Sequence, residues 1–517
     1  MKKLAFLLAF LLAASCILMT SCGDSNVSSN DTSSTAGTTP NGNTGVNNGN
    51  TSGVDPKYLD SNGMYTVENL GMPEFNFTED IFTVCVYNNF VQDTYYSEDI
   101  EPLAISDDVL KKGVTDRNDL IEEKYGVTVK AYAVDNVVET LKTDAAAGTA
   151  IYDAAMPFMG HAAALAQDGN FYNLYDFAEY IHFDAPWWDQ NANENLSIAG
   201  KLYFTTGDIS IMQKVVSSCM LFNKDMYGEL CLDTYGDLYQ MVRDGKWTID
   251  AMYEMGKLAT MEIDGEPGMS FHDQWGMVGT NSIGGMYIAS GNKLITKDNN
   301  DIPQIEIGTT ESSLLYAEKF LQIYQDKSWF INTQKIDKAW DEKNVWEGAM
   351  GAFGNKRCLF FGTAFSALKK LRAYDVDSIY GIVPLPKASV EQDKYYTHAG
   401  VNGAYGICIP VNVPNPEFSA YMIELVACGG KNFLTPAYYE VALKSRAAKD
   451  DDSAAMLDII FGNVVYDLGI LYNFGGIDMF GQLMVNNSTA VTSHLQSIEP
   501  AVQAAIDAYV EAYELNS

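Results

Sequence analysis

The sequence is poor in the residues and motifs that build most catalytic and metal sites. It has 5 histidines and 8 cysteines in 517 residues. No C-x-x-C pair and no histidines at metal-ligand spacing occur, which argues against a structural zinc site. No G-x-S-x-G, H-E-x-x-H, G-x-x-x-x-G-K-[ST] or strand-following G-x-G-x-x-G motif occurs. We therefore predict no metal, no cofactor and no catalysis, although a glycosidase, which needs only two facing carboxylates, stays open.

Basic residues are scarce as well. Lys and Arg together number 33 against 67 Asp and Glu, which gives a formal net charge of −34 at pH 7. Nucleic acid and anionic membrane surfaces repel such a chain, so we predict that the folded part binds neither. We interpret the acidity as a source of solubility, with capture of a cationic ligand as the less favoured alternative.

The N terminus has the layout of a secretory leader that ends in a lipid-modified cysteine. A basic start precedes an apolar run over residues 4–19, and small residues stand directly before Cys22. The run is too short and too early for a lasting membrane span. We predict a lipoprotein signal peptide at 1–21 and acylation of Cys22, with Cys16 as the alternative acceptor. The protein would then be lipid-anchored at the extracellular face of the cell membrane, with the lipid bilayer as a partner.

A polar segment separates this leader from the body. Residues 22–56 are rich in Ser, Thr, Asn and Gly, and we predict a flexible linker because they bury too little apolar surface to offset the entropy of ordering. The whole sequence is 47% hydrophobic and 12% aromatic, as expected of a packed globular protein. The body, about 57–517, is too long for one core of ordinary size, so two lobes are expected.

The first part of the body alternates strand and helix patterns. Three apolar, β-rich runs are each followed by a helical pattern, which predicts a mostly parallel sheet with helices on its faces. The predicted strands are 81–87, 127–132 and 151–158, and the predicted helices are 104–125, 137–147 and 161–169. Gly126 is predicted to cap the first helix.

Later elements are predicted from the same signals. The predicted strands are 201–206, 215–222, 380–384 and 403–410, and the predicted helices are 250–259, 311–325, 417–428 and a last helix from about Pro500. The segment 293–307 predicts a hairpin with a polar turn. Its acidic turn lacks the glycine and the closing glutamate of an EF-hand loop, so a plain turn is favoured.

The cysteines beyond the leader are predicted to be buried thiols, because most of them lie in apolar, strand-like surroundings. Whether any pair forms a disulfide is left open by the sequence. The six are Cys85, Cys219, Cys231, Cys358, Cys408 and Cys428.

Aromatic residues in polar surroundings are the positive signal for a binding site. Trp187 and Trp188 precede an acid and two amides, and an indole face ringed by hydrogen-bonding groups suits a sugar. Core packing is the alternative for both indoles. Trp247 opens a helix and is predicted to be structural. Further candidates for a site wall are Trp275, Trp329, Trp340, Trp346, Phe360, Phe361 and Phe365.

Several segments in order resemble the bacterial extracellular solute-binding proteins of the large sugar-binding type (family 1), the group containing the maltose-binding protein. Together they span most of residues 80–430, behind the predicted lipoprotein leader. The segments are RNDLIEEKYGVTV (117–129), YDAA (152–155), LAQDG (165–169), GKLY (200–203), MLFNKD (220–225), NKRCLF (355–360), YGIVPLP (380–386) and 400–410.

The resemblance implies an α/β, two-lobed periplasmic-binding-protein-like (type II) fold with a hinge and an interlobe ligand cleft. It implies lobe I at 57–208 plus 400–455 and lobe II at 209–399 plus 456–517. It also implies capture of a carbohydrate, an oligosaccharide in the first place, and delivery to the permease subunits of an ABC transporter by a monomer. Alternatives are a peptide or other solute as ligand, a cell-surface glycoside hydrolase, or an adhesive surface lipoprotein.

The resemblance also suggests ligand-binding residues. Phe158 and His161 fall where the family places an aromatic and a polar sugar contact. Asp208 falls near a family acidic ligand residue, Phe365 near an aromatic stacking position and Asn402 near the second crossing between lobes. The segment 201–223 is longer than the family's usual form, so Asp208 is aligned only approximately. Asp208 could instead cap a turn, and His161 could begin a helix.

Overall fold

The fold is described from a computed structural model, which describes residues 53–90, 94–334, 345–371, 374, 380–443 and 451–515. The predicted leader, Cys22, most of the predicted linker and Trp340 lie outside the described residues.

The first sheet is parallel and has the strand order β2-β1-β3, and the predicted alternation of strand and helix is confirmed. The third strand is shorter than predicted because only two of its residues pair with β1. The elements are β1 (Ile81–Tyr87), α1 (Asp108–Tyr125), β2 (Thr128–Val134), α2 (Val137–Ala147), β3 (Ala154–Ala155) and α3 (Met159–Gln167).

Local capping explains where the first two helices begin and end. The side chains of Asp107 and Asn136 accept hydrogen bonds from the first-turn amides of α1 and α2. Gly126 follows α1 with φ 72°, a left-handed conformation that favours glycine, and this confirms the predicted cap.

The second sheet has five strands in the order β10-β4-β9-β5-β8 and mixes parallel and antiparallel pairs. All five strands lie within the range 209–399 that was predicted for the second lobe. The strands are β4 (Ser218–Asn223), β5 (Trp275–Gly279), β8 (Phe330–Asn332), β9 (Cys358–Ala364) and β10 (Tyr380–Val383).

The other strands form two small sheets, and the predicted hairpin is confirmed as the antiparallel pair β6–β7. The strands are β6 (Ile295–Lys297), β7 (Pro303–Ile305), β11 (Thr397–His398) and β12 (Val464–Val465). The other helices are α4 (Gln190–Leu196), α5 (Met212–Val215), α6 (Lys224–Leu230), α7 (Leu232–Tyr235), α8 (Leu238–Arg243), α9 (Ile249–Ala259), α10 (Gly284–Ala289), α11 (Glu311–Gln325), α12 (Val345–Gly354), α13 (Ser366–Leu371), α14 (Pro416–Gly429), α15 (Thr435–Leu443), α16 (Asp451–Phe461), α17 (Leu468–Tyr472), α18 (Phe480–Asn486) and α19 (Val491–Leu515).

Two predicted strands were wrong, and the predicted starts of a third strand and of the last helix were displaced. The segments 201–206 and 403–410 form isolated bridges, such as Thr205 with Ile407, instead of regular strands. Residues 212–215 are helical although a strand was predicted from 215. The last helix begins at Val491 and continues through Pro500, because a proline removes one helical hydrogen bond without always ending the helix.

Two segments connect the sheets and run side by side. The chain leaves the first sheet through 207–217 and returns through 399–405. Ser217 bridges Ala399, and the amide of Gly400 donates a hydrogen bond to the Val216 carbonyl at 3.1 Å. The two segments therefore support each other where the chain passes between sheets.

The C-terminal helix packs against the first predicted lobe. The ring of Tyr513 on α19 meets that of Tyr203 edge-on, with ring centroids 4.7 Å apart, and its hydroxyl is 2.7 Å from the Tyr472 hydroxyl. Residues 456–517 were assigned to lobe II, so contacts of this segment reach both predicted ranges. The lobe boundaries themselves stay a prediction.

The predicted burial of the cysteines is confirmed, since all six in the described body are buried free thiols. None of the described helices is long and apolar enough to span a membrane.

Candidate functional site

A cavity of about 870 Å³ lies where the two connecting segments meet the second sheet. Its wall combines residues that follow β1, residues of both connecting segments, the ends of β5 and β9, and parts of the C-terminal segment. The wall includes Tyr95, Val216, Asn281, Gly284, Gly285, Gln334, Trp346, Lys370, His398, Asn402, Gly403 and Asp478.

The described wall mixes uncharged polar side chains and aromatic rings with aliphatic side chains and glycines, and few of its side chains are charged. Within the described lining, Lys370 and Asp478 are the only residues with charged side chains. Burial lowers the pKa of His398 to about 4, so its ring is neutral near pH 7. Trp346, at the start of α12, lines the cavity and keeps 46% of its surface exposed. Such a wall suits a large, uncharged and hydroxyl-rich ligand.

Close contact of the two connecting segments shapes the inner wall. A Cβ added at Gly403 would lie 2.6 Å from Cγ1 of Val216, so any larger residue would push the segments apart. Further out, the amide of Asn281 donates to Oε1 of Gln334 at 2.6 Å, and Nδ2 of Asn332 donates to Oδ1 of Asn281 at 2.7 Å. These bonds hold the loop after β5 in place beside the cavity.

Tyr95 is held from behind by buried aromatic residues. Its carbonyl accepts a hydrogen bond from the Tyr405 hydroxyl at 2.7 Å, and its ring meets Phe158 edge-on at 6.5 Å between centroids. Phe158 in turn stacks on Tyr87 at 4.2 Å between centroids. The predicted ligand residue Phe158 is 6% exposed and lies behind the described wall.

His161 and Asn402 are placed differently. His161 is exposed on α3, and its Nδ1 is 2.9 Å from the Tyr87 hydroxyl. Partial loss of hydration around the imidazole lowers its pKa. It lies outside the described wall. Asn402 lines the cavity from the second connecting segment and is the only one of the predicted ligand residues in that described wall.

Trp187 and Trp188 lie in the core. They are 0% and 3% exposed, and the indole N–H of Trp188 donates to Oε2 of the buried Glu424 at 2.8 Å. The ring of Trp187 meets Tyr58 edge-on. Neither indole belongs to the described wall of the cavity in this conformation, and the core-packing alternative describes their surroundings.

Asp208 and Phe365 are also buried. Burial alone would raise the pKa of Asp208, but the ammonium groups of Lys214 and Lys431 and the Thr435 hydroxyl together lower it to about 2. Phe365 is 3% exposed and packs on Phe461 at 4.7 Å between centroids. Asp208 belongs to the first connecting segment and Phe365 donates its backbone amide to the Ser217 carbonyl of that segment, but neither residue is part of the described wall.

The other aromatic candidates for a site wall are also divided between residues buried in the core and residues that line the cavity. Trp247 is buried and donates its indole N–H to the Pro384 carbonyl at 2.9 Å, which confirms its structural role. Trp275, Trp329 and Phe360 are buried outside the described wall. Phe361 and Trp346 both belong to that wall, but Phe361 is buried and Trp346 is exposed. Sequence reasoning missed Tyr95, Asn281 and Asp478, because loop residues from distant segments carry no local signal.

The described residues contain no group of three or more His, Cys, Asp or Glu side chains that could hold a metal ion.

Comparisons of the coordinates decide the fold. No protein-family model matches the sequence. No curated protein matches it either. A cyclo/maltodextrin-binding protein in complex with maltotetraose matches with a TM-score of 0.51 and 14% identity, over 84% of this chain and 98% of that one. The chain has the fold of the two-lobed solute-binding proteins.

Two further structures agree. UspC of M. tuberculosis matches with a TM-score of 0.51 and 14% identity, over 82% of this chain and 100% of that one. A sugar transporter from Rhizobium etli in an open conformation matches with a TM-score of 0.50 and 13% identity, over 84% and 99%. At this level of sequence identity the similarity establishes the fold and leaves the function to the chemistry of the cavity.

Proposed function

We propose that this protein is a lipid-anchored extracellular solute-binding protein that captures a carbohydrate, in the first place an oligosaccharide, and delivers it to the permease subunits of an ABC transporter. The observation that carries the proposal is the cavity of about 870 Å³, whose described wall mixes polar with apolar residues, carries only two charged side chains and includes exposed aromatic surface. Proteins of the same fold bind sugars, as the maltotetraose complex shows for that protein.

The cavity chemistry matches a glycan. A pyranose has apolar C–H faces and a belt of hydroxyl groups, so it needs ring faces together with neutral donors and acceptors. Trp346 and Tyr95 supply aromatic surface, while Asn281, Gln334 and Asn402 supply amide groups. The volume lies within the range of about 300–1,000 Å³ for ligand pockets and is large enough for several sugar rings.

The proposal contains no chemical step. A glycoside hydrolase needs two carboxyl groups facing each other across the scissile bond, about 5–9.5 Å apart. Within the described wall the only carboxylate is Asp478. A retained ligand is therefore the expected outcome of binding.

A thermal-shift screen of the mature protein against glycans, peptides and amino acids tests the ligand class. A ligand at a hundred times its Kd is expected to stabilise the fold by about 2.7 kcal/mol, which a melting curve resolves. We expect an uncharged oligosaccharide, with maltotetraose as the first probe, to raise the melting temperature without product formation. A shift with peptides alone would reject the carbohydrate, and consumption of a glycan would reject the binding role.

The lipid anchor is tested by Cys22→Ser. We expect the variant to move from the membrane fraction to the soluble fraction, because the acyl chains on Cys22 would be its attachment to the bilayer. Cys16→Ser is the matched control, since it removes the alternative acceptor and should leave the protein in the membrane fraction. Release by Cys16→Ser instead would move the anchor to that residue.

We further propose that the protein acts as a monomer, as the resemblance implies. Closure of two lobes around a ligand needs contacts that differ between open and closed states, and one chain supplies both walls of the cavity. Equilibrium sedimentation with and without the bound glycan tests the oligomeric state.

A further inference from the structure

One end of the cavity contains two polar atoms that have no partner. Oδ1 of Asp478 and Nδ1 of His398 are buried, and neither makes a hydrogen bond to any part of the chain that the structure describes. Both residues line the cavity. A buried polar atom without a hydrogen-bond partner destabilises the fold, so such groups call for a specific explanation.

Two adjacent glycines bring these groups to the same place. A Cβ added at Gly284 would lie 2.9 Å from Oδ1 of Asp478, and one added at Gly285 would lie 3.2 Å from Cδ2 of His398. The side chains therefore approach the backbone closely, one at each glycine. They come from separate parts of the chain, since His398 lies on β11 and Asp478 lies between α17 and α18.

The surroundings keep Asp478 in position. Its backbone amide donates to Oδ1 of Asn473 at 3.3 Å, and Asn473 has a left-handed φ of 50°. Burial raises the pKa of Asp478 and outweighs the opposing hydrogen bond from the Phe480 backbone. Rotation about the terminal carboxyl torsion is soft, so either oxygen can turn toward a donor at the cavity wall.

We infer that Asp478 and His398 form a polar subsite at the Gly284–Gly285 end of the cavity, which binds hydroxyl groups of an uncharged sugar unit. This inference rests on the proposed function and deepens it, because it assigns the residues that recognise the ligand. A carboxyl oxygen accepts a ligand hydroxyl, and a neutral imidazole nitrogen donates or accepts according to its tautomer. The alternative is that Asp478 is purely structural.

The test compares Asp478→Asn with the wild type by calorimetry, using the glycan that binds in the screen. We expect Kd to rise about ten- to a hundredfold, because hydrogen bonds to charged groups are the stronger ones. His398→Phe, which keeps a planar ring and removes both nitrogens, is expected to raise Kd about fivefold or more. Asp507→Asn is the matched control: Asp507 is exposed on α19 and lies outside the described wall.

A second measurement needs no ligand. Because Oδ1 of Asp478 is buried without a donor in the described chain, Asp478→Asn, which removes the cost of burying a charge there, is expected to raise the melting temperature of the ligand-free protein while it weakens binding. A structural residue would instead lose stability on substitution. Unchanged Kd in Asp478→Asn, or a lower melting temperature of its ligand-free form, would overturn the subsite.

The two proposals fail in different ways. If the wild type binds no glycan, the proposed function is rejected, and the ligand-free melting temperature then decides whether Asp478 is an unpaired acceptor. If the wild type binds a glycan and Asp478→Asn binds it equally well, the function stands and the subsite is rejected. Deoxy analogues of the glycan add a finer readout, since removal of the recognised hydroxyl should weaken the wild type more than the variant.

Discussion

Replacing Asp208 by alanine is expected to lower the free energy of unfolding by about 3–5 kcal/mol. The carboxylate is 3.0 Å from Nζ of Lys214 and 3.1 Å from Nζ of Lys431, and it accepts a hydrogen bond from the Thr435 hydroxyl at 2.5 Å. Its side chain is only 8% exposed. The variant leaves two lysines without their shared partner. Urea unfolding, followed by tryptophan fluorescence, measures the loss.

The contribution of Asp208 should also depend on pH. Its pKa in the folded protein is lowered to about 2 from an ordinary value of 3.8. A carboxyl group with a lowered pKa stabilises the fold fully above its unfolded pKa and loses that contribution as the pH falls through its folded pKa. The difference between wild type and Asp208→Ala is therefore expected to be full above about pH 5 and to shrink as the pH falls toward about 2.

Asp168 supplies the matched control. It pairs with Lys142 at 2.8 Å, but the two side chains are 52% and 51% exposed. Exposed ion pairs contribute about 0–1 kcal/mol, so Asp168→Ala should cost no more than that. An equally small loss for Asp208→Ala would contradict the view that its pairing fastens the connecting segment 207–217 to the π-helical segment Gly430–Leu434 and the start of α15.

Replacing Trp346 by alanine is expected to weaken glycan binding about 30-fold or more. Tryptophan side chains that fill the centre of an interface typically cost about 2 kcal/mol or more when truncated, which corresponds to that factor. Trp346 is the described tryptophan with an exposed ring at the cavity, so a sugar face stacked on it would lose its platform. Calorimetric titration with the glycan from the screen measures the change.

Two further variants show whether a loss of affinity in Trp346→Ala comes from the loss of its aromatic ring. Trp346→Phe keeps an aromatic face and should retain much of the affinity. Ile263→Ala removes a side chain that is 55% exposed outside the described wall and should bind like the wild type. If Trp346→Ala binds as tightly as Ile263→Ala, the ligand does not use this indole and the placement of the glycan in the cavity is wrong.

The tryptophans show that residue type and sequence neighbours do not decide whether a side chain is buried or lines the cavity. Trp188 and Trp346 both precede acidic side chains in the sequence, yet the first is buried and the second lines the cavity. The difference arises because Glu424, which is 236 positions away, accepts the indole N–H of Trp188. No local pattern contains that contact.

The positions of the ligand residues suggested by the family resemblance could likewise not be decided from the sequence alone. Asn402 reaches the cavity because the second connecting segment forms part of the wall. Asp208 and Phe365 lie near the connecting segments, but packing against Lys431 and Phe461 turns them away from the described wall. A shift of a few residues in alignment is enough to exchange a wall residue for its buried neighbour.

The sequence by itself determined the alternation of strands and helices in the first sheet, the end of the first helix at Gly126 and the burial of the cysteines. These depend on hydrophobic periodicity and on capping residues such as Asp107 and Gly126, which act within a few positions. It also determined the acidic charge, which disfavours nucleic acid as a partner.

Only the tertiary structure decided the form of the connecting segments and the composition of the cavity wall. Thr205 and Ile407 have strand-like neighbours in sequence but form a single bridge, since a ladder needs a partner strand in register. The wall unites Tyr95, Trp346 and Asp478, which are separated by more than a hundred residues each. These residues come together because the two sheets and the C-terminal segment pack against each other. Interactions within a few positions of the chain do not specify that packing.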